Sequence, residues 1–338
     1  LDKATNTIRI LELLPLEEDY SSSPLRCTLQ HILLDENPEY TALSYVWGSP
    51  TITKAVYVDG HEVQVTVNLA NALYQLRQDG IRYVWADALC INQHDNVEKS
   101  DHVRMMKMIY EKADLVIAWL GPEENASSEA LEMMEKMATL ADGLAIRTPY
   151  DPDPRELNAK QLRQLEDRVL KSVDSSIGLD RSALESTSTL LGRSYWTRAW
   201  VIQEVCVAKS VMVQCGGTSI SCTSLCASLG LRQYWLSCLN KRNRNVLYEL
   251  TSLLRPTIVD LFCLHKELQK GLGLWQVLAL TLNNDKLETT DPKDRIYAFL
   301  GLFDVDERRK IDIDLAPPTQ PSFDKQQSIY FRAMAATL

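Results

Sequence analysis

"IRYVWADALCINQHDNVEKSDHVRMMKMIYEKADLVIAWL", residues 81–120, decides the fold. Its first six residues are β-formers and small apolar groups, so 81–86 predict a buried strand. The apolar pattern then breaks into a polar loop carrying Asp87, Cys90, Asn92 and Gln93. From about 96 to 112 the period lengthens, and Val103, Met106 and Tyr110 fall on one side of a helix. "DLVIAWL" (114–120) returns to strand and stops at Gly121-Pro122. Strand, helix, strand in this rhythm predicts parallel strands joined by crossover helices.

Upstream, "TALSYVW" (41–47) is another strand, ending at Gly48. "KAVYVDGHEVQV" (54–65) predicts a hairpin, because Asp59-Gly60 is the dipeptide a type I′ turn requires. Asn68 is placed to cap a helix with Leu69, Leu73 and Leu76 on one face, and Gly80 ends it. "IRILEL" (8–13) and "LRCTLQHILL" (25–34) add strands before this core. Downstream, 123–192 has helical character, with Leu131, Met134 and Met137 in one segment, a Pro/Asp loop at 148–154 and a charge-laced segment at 156–173. "SYWTRAWVIQEVCVAK" (194–209) predicts a helix and "SVMVQC" (210–215) a strand turned by Gly216-Gly217. The remainder, 222–338, predicts mostly helix, with Asp291-Pro292 opening one. The expected class is α/β: a parallel sheet flanked by helices, with extra N-terminal strands, a helical insertion at about 122–192 and a C-terminal helical region. The expected division is 1–221 and 222–338.

Composition narrows the function. The 338 residues carry a net charge of −9 and no Lys/Arg run, which argues against nucleic acid as a partner. No apolar run reaches the ~18 residues of a membrane helix. The eight cysteines are scattered, several within apolar stretches, and no signal peptide is expected. That usage predicts reduced thiols in the cytoplasm. Cys215, Cys222, Cys226 and Cys238 match no common zinc spacing, so no metal site is expected. G-x-x-x-x-G-K-[ST], G-x-G-x-x-G and G-x-S-x-G are all absent. Cys90 with His94 or His102 would make a Cys–His pair, but Leu89 and Ile91 flank it and favour a packing thiol.

The segment 194–209 carries the chemistry. On a helix, Trp196, Trp200 and Gln203 share one side. Glu204 is a carboxylate on an otherwise aromatic and apolar helix, and such a group needs a partner, solvent or a task. Arg198 lies six residues before it, which is poor helical geometry. Two readings stay open: a structural ion pair with another arginine, and a catalytic acid.

Four segments together resemble one family: "YTALSYVWG" (40–48), residues 83–121, "YWTRAWVIQEV" (195–205) and "DPKDRIYAFLGL" (291–302). They resemble the fungal heterokaryon-incompatibility (HET) domain, itself considered a distant relative of the Toll/interleukin receptor (TIR) fold. The resemblance implies self/non-self recognition and regulated cell death after cell fusion. "ALSYVWG" resembles the first TIR strand and its exit loop, and "YVWADALCINQ" resembles the second strand. "SYWTRAWVIQEV" resembles the Ser, Trp, Glu pattern of the active helix, which puts Glu204 where NAD-cleaving TIR proteins carry their catalytic glutamate.

The enzyme this implies is an NAD glycohydrolase that takes NAD as substrate and requires no further cofactor. Glu204 is its expected catalytic residue. Ser44, Tyr45, Trp47, Gly48 and Trp200 are expected around the ligand, and Asp87, Asn92 and Arg198 at its ribose or phosphates. Self-association on activation and a partner signalling protein are expected. The alternatives are a non-enzymatic signalling module that self-associates through the same surfaces, and a nucleotide-binding regulator without turnover.

Overall fold

A computed structural model describes residues 6–15, 24–147, 157–176, 181–242 and 298. The described strands form one nine-stranded mixed sheet. Its centre is built from β3 (Thr41–Tyr45), β6 (Tyr83–Trp85), β7 (Leu115–Trp119) and β8 (Val211–Cys215). Neighbours among these four run parallel, in the order β6-β3-β7-β8. The first of them in the chain lies inside. The second pairs on one side of it, and the third and fourth follow on the other. That is the order of a doubly wound sheet, which places ligands beyond the carboxyl ends of the strands where the winding reverses. Here the reversal falls between β3 and β7.

The expectation of a parallel sheet needs correction at both flanks. The N-terminal strands β1 (Thr7–Leu13), β2 (Arg26–Leu33), β4 (Thr53–Val58) and β5 (His61–Thr66) join the same sheet beyond β6, in the order β5-β4-β2-β1. β1 pairs with β6 antiparallel, and β9 (Thr218–Ser221) pairs antiparallel with β8 at the opposite edge. The β4–β5 turn is the expected one: Asp59 and Gly60 have φ of +50° and +79°, both left-handed as type I′ demands.

Helix α1 (Val67–Gln78) buries Leu69, Leu73 and Leu76, and Gly80 at φ +78° follows its end. Its cap is Thr66, whose side chain accepts from the Leu69 amide. The stretch after β6 is not the expected open loop. It is a single helical turn, α2 (Asp87–Cys90), followed by α3 (Asn96–Lys112), which Asp95 caps. The principal core runs through the sheet, with Trp85 and Tyr110 meeting edge to face at 5.5 Å.

The helical insertion contains α4 (Ser127–Gly143), α5 (Ala159–Ser176) and α6 (Arg181–Leu191). With α8 (Cys222–Arg242) it builds a second core of Met137, Val169, Leu231 and Trp235. The insertion's two ends lie together: Arg193 Nη1 donates to the carbonyls of Leu120 at 3.0 Å and Pro122 at 2.9 Å. The Pro/Asp loop at 148–154, the helices expected after 242 and the segment 291–302 fall outside the described residues, except for buried Ala298. No described helix is long and apolar enough to cross a membrane.

Candidate functional site

The expected helix over 194–209 is broken. Ser194–Thr197 form a 3-10 turn, Arg198 is extended at φ −74° and ψ 130°, and α7 covers only Trp200–Cys206. The break matters chemically. On a continuous helix, residues six apart point about 240° apart around the axis and cannot meet. With Arg198 extended, its side chain turns back onto the helix that follows. Arg198 Nη1 stands 3.9 Å from Glu204 Oε2 and donates to the Tyr45 carbonyl. The arginine set aside on helical geometry is therefore the partner of Glu204.

Glu204 is buried, with 4% of its side chain exposed, at the carboxyl end of β3. Ser44 Oγ donates to Glu204 Oε2. Because the Ser44 proton is committed there, the 2.8 Å contact between Tyr195 OH and Ser44 Oγ has the tyrosine as donor. A chain of donors thus runs from Tyr195 through Ser44 to Glu204, with the first two completely buried. Tyr110 donates to the Leu43 carbonyl at 3.2 Å beneath them. Burial pushes the Glu204 carboxyl above its ordinary value. Arg198 and the Ser44 hydroxyl pull it down, and the Asp87 carboxylate adds to the rise. Burial also holds the phenols of Tyr195, Tyr110 and Tyr45 far above their ordinary range, so all three stay protonated.

Asp87 begins α2 at the end of β6. Its Oδ2 accepts from Trp47 Nε1 at 2.8 Å, and its Oδ1 accepts from the Ala88 amide at 2.7 Å. Trp47 is 43% exposed, whereas Glu204 is buried. Gly48 follows at φ +80°, a conformation that favours glycine. Tyr45 is buried, and after burial the nearby Asp87 carboxylate adds to the rise of its phenol. Gln93 Nε2 donates to the Asp87 carbonyl at 2.9 Å and braces the turn.

Of the expected site residues, Ser44, Tyr45, Arg198 and Glu204 come together, with Asp87 in their electrostatic field and Trp47 bonded to it. Asn92 does not join them. It is exposed, and its Oδ1 accepts from the His94 amide within its own turn. Trp200 is partly buried and packs on the core. The geometry adds three residues that sequence reasoning missed. Tyr195 lies within the quoted segment 195–205 without an expected role, and it is the donor to Ser44. Arg193, with no expected role, joins the ends of the insertion and also donates to the Glu124 carbonyl. Arg9, on β1, bonds the Cys90 carbonyl at 3.0 Å and pairs with Glu98, so an N-terminal strand supports the turn that carries Asp87.

Cys90 makes no Cys–His pair. Its sulfur lies 3.4 Å from the Ala86 amide, while His102 Nδ1 lies 2.9 Å from the Glu98 carbonyl. Burial pushes the Cys90 thiol up to about 12 and the His102 imidazole down to about 4. Iodoacetamide at pH 8 should therefore leave Cys90 unmodified in the native protein and alkylate it in denaturant, as read by peptide mass mapping. Rapid native alkylation would contradict the packing role. Among the described residues no group of three or more His, Cys, Asp or Glu side chains could hold a metal ion.

Residues 40–204 match the family model described as Heterokaryon incompatibility protein (HET). The matched span opens one residue before β3 and closes on Glu204, so it encloses β3, β6, β7 and the buried cluster, while β8 lies beyond it. A similar protein is "Heterokaryon incompatibility protein 6, OR allele" of Neurospora crassa, 28% identical over 238 residues. That similarity covers 65% of this chain and 35% of the Neurospora protein, so the chain spans little more than a third of that relative. No solved structure matches the chain.

Proposed function

We propose that this chain is a heterokaryon-incompatibility domain of the TIR-like kind, acting in fungal self/non-self recognition and cell death by hydrolysing the nicotinamide–ribose bond of NAD. In this reading residues 1–221 form the domain and 222–338 pack on it. Self-association or a partner signalling protein switches it on. The observation that carries the reading is the position of Glu204, a buried carboxylate at the carboxyl end of the innermost parallel strand. That is where doubly wound sheets hold ligands.

The chemistry fits one carboxylate. The nicotinamide ring is already cationic while bonded to the ribose, so it departs as a neutral molecule with the bonding electron pair and no acid is needed to protonate it. Glu204 would stabilise the oxocarbenium-like ribose as the glycosidic bond breaks, and water would complete the hydrolysis to ADP-ribose. Its low-dielectric setting strengthens that interaction. Arg198 is the member of the cluster that still reaches solvent, with 21% of its side chain exposed. It would take the phosphates of the incoming nucleotide and open the way to Glu204. Trp47 would stack on a base.

Concentrated, self-associated protein incubated with NAD should release nicotinamide, followed by chromatography. Intact NAD under those conditions overturns the enzymatic reading. The enclosure of Glu204 between Ser44 and Arg198 favours the alternative, a non-enzymatic module in which the cluster only fixes the strand exits. A thermal shift with NAD but no product would favour a nucleotide-binding regulator.

A further inference from the structure

Asn68 stands second in α1, yet it does not cap that helix, because Thr66 does. Its amide is spent elsewhere. Nδ2 donates to the Val46 carbonyl at 2.6 Å, and Oδ1 accepts from Trp119 Nε1 at 3.0 Å. These two partners sit where β3 and β7 leave the sheet, and Tyr45 and Trp119 are cross-strand neighbours there. Immediately beyond, both chains turn left-handed, at Gly48 with φ +80° and Gly121 with φ +114°. A Cβ on Gly48 would lie 3.6 Å from Asn68 Cβ, and one on Gly121 would lie 3.9 Å from Asn68 Oδ1. The amide therefore fills the angle between the two exits.

The Val46 carbonyl belongs to the peptide plane that leads into Trp47. Holding its oxygen fixes that plane, and with it the direction in which Trp47 leaves the strand. Trp47 in turn bonds Asp87 at the end of β6. One side chain thus ties the exits of β3 and β7 directly, and that of β6 through Trp47. We infer that Asn68 is a positioning residue of the site, holding Trp47 and Gly48 in the place where a nucleotide would meet them. The ligand rests on the proposed function. The positioning rests on the hydrogen bonds alone.

Two substitutions separate its roles in the full chain. Asn68→Asp keeps the acceptor for Trp119 but sets a carboxylate against the Val46 carbonyl. Trp119→Phe removes the indole donor and leaves the Val46 bond intact. By hydrogen-exchange mass spectrometry, Asn68→Asp should speed exchange over 46–49 about tenfold, while Trp119→Phe should loosen chiefly 119–122. With NAD as probe, Asn68→Asp should raise KM about tenfold, well beyond any fall in kcat. Unchanged exchange at 46–49 in Asn68→Asp overturns the proposal. Uniform loosening of all strands also overturns it, because that marks general destabilisation. If wild-type protein neither binds nor cleaves NAD, the proposed ligand fails, and the exchange pattern still decides the role of Asn68.

Discussion

Glu204→Gln should lower nicotinamide release by about a hundred- to a thousandfold while the protein stays folded, the range expected when one preorganised transition-state group is removed. The substitution keeps the shape of the side chain and an oxygen to accept from Ser44, but it deletes the charge. The folded state should tolerate this. The carboxyl is held above its ordinary value chiefly by burial, so burying its charge costs the fold stability, and an amide avoids that cost. Arg198 loses a facing charge but keeps the Tyr45 carbonyl and some solvent. The thermal midpoint should therefore move by only a few degrees, roughly what ~1 kcal/mol produces in a protein of this size. The paired measurement is nicotinamide by chromatography and unfolding by circular dichroism. Full release by Glu204→Gln would remove Glu204 from the chemistry. Loss of release together with loss of fold would return it to a structural role.

How far the sequence carried this site depends on which interactions are local. The Asp59-Gly60 hairpin and the Leu69, Leu73 and Leu76 face depend on near neighbours, and both stand as the pattern predicts. The strand–helix–strand reading of 81–120 stands for the same reason, and it placed Asp87 just beyond a strand end. Failures began where a side chain chose a distant partner over a local one. Asn68 had the right residue type for a helix cap, but its amide found Val46 and Trp119 across the sheet edge. Arg198 was judged on helical spacing, and the backbone is not helical there. The Ser44–Glu204 contact joins residues 160 positions apart, a pairing that no periodicity encodes. The family resemblance put Ser44 and Glu204 around one expected site, without their contact, Tyr195 or the pairing with Arg198.

Replacing Arg198 by leucine should cost about 3 kcal/mol of folding stability at neutral pH. That is the lower part of the range for breaking a buried ion pair, chosen because the two groups are 3.9 Å apart and Arg198 keeps some exposure. The loss should also depend on pH, and its sign follows from Glu204. The folded carboxyl already lies above its unfolded value of 4.5, and Arg198 is the strongest influence holding it down. Without the arginine it rises further. The folded protein then keeps a proton that the unfolded chain releases, so stability is full below the unfolded pKa and falls as pH climbs through the folded one. Arg198→Leu should therefore be least harmful near pH 4.5 and most harmful at neutral pH and above. In the Arg198→Leu, Glu204→Gln double variant the ionisable group is gone, and the pH-dependent part of the loss should vanish. Urea unfolding of the wild type, both single variants and the double variant at pH 5 and pH 8 measures this as a coupling free energy. Additive losses, equal at the two pH values, would mean that Arg198 and Glu204 stand side by side without acting on each other. Arg198 would then have no hold on Glu204 for an incoming phosphate to relieve.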